Sequence, residues 1–201
     1  MAKELNKSRV RDIKLVVIIS ILLILFSKQL LPSPSFSHIA FTYFGFALVI
    51  ACVMGRIYCT AFLGGYKNNT LVTYGPFSLC RNPLYFFSFL GACGVTIMTG
   101  HLVLVILIPM AFYAIFQSVM KREEAFLTAH FGAEYITYVQ KTPRFIPNPS
   151  LFHVPESIPM YPRYLRNGIK DSVLWFLSLP ALQAIDYLHQ SGIISTIFIL
   201  P

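Results

Sequence analysis

Five stretches of this chain are apolar over lengths that a soluble domain does not bury: residues 13–31, 38–63, 83–98, 102–120, and from about 172 towards the C-terminus. A helical membrane crossing needs roughly 20 predominantly apolar residues. In hydrocarbon, every backbone N–H and C=O must find a partner within the segment, and a helix provides one. The pattern predicts an all-α membrane protein with about five transmembrane helices. Composition agrees: 56% of the 201 residues are hydrophobic and only 12% are charged, against about 25% in soluble domains. In a soluble chain a net charge of +8 would point to nucleic acid. Here the basic residues flank the apolar stretches, so they read as orientation signals and contacts to anionic headgroups.

The chain reads as one multi-span domain over 1–201, with 1–63 holding the first two spans, 64–147 a core, and 148–201 a proline-rich surface segment and a last span. The first span resembles a signal peptide but lacks a small-residue cleavage site, so it is expected to stay as an anchor, with Lys28 snorkelling to the surface. Gly45, Ala51 and Gly55 in the second span, and Gly91, Cys93 and Gly94 in the third, offer small faces for close helix contact. Arg56 lies about 10 Å inside the far end of the second span; there it serves a site or snorkels, and the sequence favours neither. Thr99-Gly100-His101 is a tight turn between spans three and four, and His101 reads as a turn residue.

The fourth helix continues past the membrane through Glu123-Glu124 to a glycine cap at Gly132, and a short helix follows over 133–140. Prolines from 143 to 162 predict an extended segment on the membrane surface. In the last span Pro180 is expected to kink the helix and Gly192 to divide it, with Asp186 and His189 forming a solvated pair at i, i+3. Four cysteines without a C-x-x-C pairing read as small packing residues, with neither a metal site nor a disulfide framework. The lysine and arginine count places the N-terminus, the loop holding Lys67 and Arg81, and residues 121–170 in the cytoplasm.

That topology sets two chemically rich stretches side by side. Gly75-Pro76 is turn chemistry, and Asn82-Pro83 reads as N-cap and first residue of a helix, with Arg81 beside its positive dipole end. Glu123 and Glu124 emerge on the same face from the other arm of the hairpin. With Tyr85, Tyr135 and Tyr138 nearby, the surface suits a zwitterionic ligand that also carries a ring, and it opens towards lipid.

Gly75-Pro76-Phe77 followed by Arg81-Asn82-Pro83-Leu84-Tyr85 resembles the first motif of the isoprenylcysteine carboxyl methyltransferase and phospholipid methyltransferase group. Glu123-Glu124-x-x-Leu127, Phe131-Gly132-x-x-Tyr135-x-x-Tyr138 and Pro143-Arg144-Phe145-x-Pro147 resemble its second motif, in the same order. The resemblance implies an integral-membrane enzyme using S-adenosylmethionine on a lipophilic acceptor, with Tyr74, Gly75, Pro76, Asn82, Tyr85, Glu123, Glu124 and Tyr135 around the cofactor. It also implies catalytic roles for Arg81, which would hold a substrate carboxylate, and Arg144. The family histidine is Asn82 here, which hydrogen-bonds but cannot titrate. The acceptor stays open between a carboxylate, an amine and a thiol. A membrane NADPH-dependent reductase of related fold and a non-catalytic membrane scaffold are the alternatives.

Overall fold

A computed structural model describes residue 15 and residues 18–28, 35–63, 70–158, 160–194 and 198–199. The basic N-terminal tail, the Pro32 loop, the loop carrying Lys67 and the side chain of Lys28 lie outside the described residues. The architecture is helical. After a helical segment over 18–26 (α1) come α2 (Phe36–Leu63), α3 (Pro76–Leu79), α4 (Pro83–Met98), α5 (Leu102–Phe131), α6 (Ala133–Lys141), α7 (Pro162–Val173) and α8 (Ser178–Gln190). Two 3-10 turns, Pro149–Leu151 and Leu174–Leu177, join the later elements, and Ser27–Lys28 pairs in parallel with Phe198–Ile199. Among the described residues, α2 and α5 are long and apolar enough to cross a membrane; α4, at 16 residues, is a shorter apolar helix.

The helices divide between two compact units. The first gathers Met1–Ile50, Gly91–Ile115 and Phe176–Pro201. Within it the backbones of α2 and α4 approach closely: a Cβ placed on Gly45 would lie 2.5 Å from the Gly94 carbonyl oxygen. Small residues let the two helices touch there, as the sequence predicted. Thr99-Gly100 makes the expected turn, with Gly100 at φ 68°. His101 is more than a turn residue: fully buried, its Nδ1 lies 2.8 Å from Thr99 O and its Nε2 2.7 Å from Ser27 Oγ. The ring therefore ties the hairpin tip to the end of α1.

Two expectations for the C-terminal part are corrected. The proline-rich stretch ends in a helix, α7, that begins at Pro162, ten residues before the predicted span. Proline costs nothing at a first helical turn, and Arg163, Arg166 and Lys170 recur at helical spacing opposite Leu165 and Ile169. Pro180 lies in the first turn of α8, directly after the 3-10 turn Leu174–Leu177 that interrupts the helical run, and Gly192 turns the chain as expected, at φ 72°. Asp186 and His189 are directed inward instead of solvated. Asp186 Oδ2 lies 3.8 Å from His38 Nε2, and His189 Nε2 lies 2.8 Å from Leu25 O.

The second unit comprises Ala51–Leu90 and Phe116–Trp175. Its core packs Cys59, Phe62, Val72 and Phe77. Gly55 of α2 makes room for the Phe87 ring, and Gly168 of α7 rests on Thr60. Residues 143–153 are bound along the Gly75–Arg81 stretch: Arg81 N donates to Pro143 O at 2.8 Å, Asn148 N to Leu79 O at 2.9 Å, and Gly75 N to His153 O at 2.8 Å. Extended backbone here finds its partners on a neighbouring loop, which the membrane-surface reading did not anticipate.

Candidate functional site

The second unit holds a cavity of about 390 Å³, within the usual size of ligand sites. Arg81, Asn82, Tyr85, Glu123, Glu124 and Tyr135 all line it, so residues 41 positions apart in sequence, Asn82 and Glu123, share one wall. The hairpin of α4 and α5 brings the two motifs together as the sequence predicted. Tyr74, Gly75, Pro76 and Arg144 are not on the wall.

Gly75 and Pro76 shape the approach to the site. Gly75 has φ 62°, and a Cβ there would lie 2.5 Å from the Phe62 ring, so only glycine fits on both counts. Pro76 opens α3, and Ser78 Oγ donates to Gly75 O at 2.7 Å. Tyr74 packs edge-on to Phe62. These residues hold the turn from which Arg81 and Asn82 project.

Glu124 is the electrostatic centre. It is buried, and its carboxylate accepts from Arg144 Nε at 3.1 and 3.0 Å and, in a shorter contact, from Arg144 Nη2. Arg81 Nη1 lies 3.2 Å from Glu124 Oε1, and Asn82 Nδ2 donates to the same oxygen at 3.3 Å. Asn82 Nδ2 also donates to Arg144 O at 3.0 Å. The Asn82 amide nitrogen thus serves Glu124, because a buried carboxylate needs every donor within reach, while Asn82 O accepts from Tyr85 N and Phe86 N at the start of α4. Glu123 has a different setting. It is exposed and accepts from Tyr85 Oη at 2.9 Å, while the Tyr85 ring meets Phe116.

Tyr135 and Tyr138 close the far wall. Tyr138 Oη donates to Phe77 O at 2.6 Å, which joins α6 to α3. Burial pushes both hydroxyls above the ordinary tyrosine range; for Tyr135 the Glu124 charge adds to the rise, and Arg81 and Arg144 oppose it. Cys80 behaves similarly, its thiol pushed by burial up to about 11. All three stay protonated near neutral pH, so none supplies a base or a thiolate nucleophile.

The sequence reading missed several lining residues. Ser88, Phe116 and residues 70–72 reach the cavity, but nothing local marks them, since each is an ordinary residue of a helix or loop. Arg56, for which the sequence favoured neither a site nor the surface, lines the cavity, and its Nη1 donates to Ser88 Oγ at 2.5 Å. Among the described residues no cluster of three or more His, Cys, Asp or Glu side chains is arranged to hold a metal ion.

The phospholipid methyltransferase family matches residues 37–134, a range that contains all of the first motif and the beginning of the second, from Glu123 to Gly132. The chain is 35% identical over 153 residues to the cobalt-zinc-cadmium resistance protein CzcN of Cupriavidus metallidurans, a match covering 76% of this chain and 70% of the relative. It is 31% identical over 154 residues to the nickel-cobalt-cadmium resistance protein NccN of Alcaligenes xylosoxydans xylosoxydans, covering 76% of this chain and 71% of that protein. No solved structure matches. With both motifs meeting on one cavity and these relatives matched over most of their length, the chain belongs to the phospholipid methyltransferase family.

Proposed function

We propose that this protein is an integral-membrane methyltransferase that uses S-adenosylmethionine to methylate a lipid-associated or small hydrophobic acceptor, most simply at a carboxylate. One observation carries the reading: residues from both family motifs line a single cavity that combines carboxylates, arginines and aromatic rings. When bound, S-adenosylmethionine supplies a methyl group already activated by its sulfonium, so the protein's task is alignment. The residues present fit that ligand. Exposed Glu123 has acceptor capacity for ribose hydroxyls, Tyr85, Phe116 and Tyr135 offer ring faces, and the buried Nε of Arg81 lacks a partner. Glu124, Arg81, Arg144 and Asn82 act as a positioning set that fixes the wall between the motifs. A carboxylate acceptor carries no proton to remove, which suits a site where the family histidine is Asn82.

The reading includes a multi-pass chain with a cytoplasmic N-terminus, as the distribution of basic residues indicates. It is compatible with a place in metal resistance like that named for the two relatives, with a membrane component as the methylated species. Binding of S-adenosylmethionine and NADPH to the purified protein tests it directly. S-adenosylmethionine should bind and NADPH should not, and radiolabelled methyl should pass into a lipid extract. The reverse preference would favour the reductase alternative, and binding of neither would favour a scaffold.

A further inference from the structure

We infer that Arg56 and Ser88 form an anion-holding subsite for the acidic group, carboxylate or phosphate, of a lipophilic ligand. The inference rests on the methyltransferase reading only in calling that ligand the acceptor.

The argument begins with charge pairing inside the cavity. Arg81 reaches Glu124 at 3.2 Å, with both side chains largely buried, at 13% and 11% exposure. Arg81 thus already has a carboxylate partner in the protein, one it shares with Arg144. Among the described residues, Arg56 has no carboxylate within 4 Å, although it lies in an apolar helix and lines the same cavity. A charge inside a membrane helix is costly and is retained where it has a task. Its guanidinium is half used: Nη1 donates to Ser88 Oγ, while Nε is buried without a partner.

Ser88 fixes the orientation. Its hydroxyl donates to Leu84 O at 2.8 Å and so accepts from Arg56. Ser88 holds one edge of the fork in place, and Nε keeps a hydrogen-bonding capacity that the protein does not use. Planar, weakly hydrated guanidinium suits two-oxygen groups better than an ammonium does. Leu84, Pro83 and Phe116 line the same cavity, so a ligand held here by its acidic group meets apolar wall beside it.

The test titrates the purified protein, in neutral maltoside micelles, with decanoate, decyl phosphate and methyl decanoate by calorimetry, alongside S-adenosylmethionine. One or both anions should bind at least tenfold more tightly than the neutral ester, and the stronger of the two identifies the acidic group. Arg56→Gln should reduce anion binding to the level of the ester and leave S-adenosylmethionine affinity unchanged. Arg56→Lys should fall between the two, because it keeps the charge and loses the fork. Ser88→Ala, which removes only a hydroxyl, should weaken the anions severalfold and provides the test if Arg56→Gln does not fold. Unchanged anion binding in the variants, or no preference for anions in the native protein, overturns the subsite. A parallel loss of S-adenosylmethionine affinity also overturns it, since Arg56 would then serve the cofactor. Absence of S-adenosylmethionine binding in the native protein defeats the methyltransferase reading, while the anion titration still decides the subsite.

Discussion

Two adjacent glutamates illustrate how burial separates residues that the sequence presents as equals. Glu124 is buried beneath two arginines and an asparagine, whereas Glu123 is exposed and meets one tyrosine hydroxyl. Removing the charge from a buried paired carboxylate strands its cations, at a cost of about 3–5 kcal/mol. Arg144 is 36% exposed, so water screens part of that loss and the lower end applies. Glu124→Gln should therefore lower the thermal midpoint of the purified protein clearly. Glu123→Gln should change it little, since an exposed contact contributes about 0–1 kcal/mol. Its effect should appear in S-adenosylmethionine affinity instead. Equal midpoints for the native protein and Glu124→Gln would remove Glu124 from the centre of the site's architecture.

At the level of elements, glycine decides where helices meet. The Gly94 position sits against the Gly45 carbonyl, so a Cβ there collides with backbone that cannot rotate away. Overpacking of this kind costs about 1–3 kcal/mol, and Gly94→Ala should lower the thermal midpoint. Gly132 constrains the chain through its own backbone instead. It follows α5 at φ 53° and ψ −125°, a conformation that lies outside the left-handed helical region and that residues with side chains avoid, so Gly132→Ala should also lower the midpoint although an added Cβ would meet nothing within 4 Å. An unchanged midpoint for Gly94→Ala would contradict the backbone contact. Both glycines were legible in the sequence, one as a small face and one as a cap. Helix α7 was not, because recurring prolines hid a segment whose Pro162 starts a helix.

For the whole molecule, the number of crossings decides on which side of the membrane each terminus lies. Parallel pairing sets Phe198–Ile199 beside Ser27–Lys28, and His189 meets Leu25 O. Phe198–Ile199 thus lie beside the end of α1. Reporter fusions should place the N-terminus in the cytoplasm and the C-terminus outside. Both termini on one side would refute the odd number of crossings.

Sequence alone determined the helical class, the hairpin, the end of α5 at Gly132 and the order of both motifs, because apolar period, turn chemistry and motif spacing are local properties of the chain. It also placed Asn82, Tyr85, Glu123, Glu124 and Tyr135 in one region, since a tight turn at Gly100 leaves α4 and α5 no other arrangement. Partner choice was decided only by tertiary structure. That the Asn82 amide nitrogen serves Glu124, that Arg81 and Arg144 share one carboxylate, and that Arg56 turns to Ser88 all depend on distances between segments remote in the chain. Burial sets those choices: once water is excluded, each charge and donor takes the nearest partner the packing supplies.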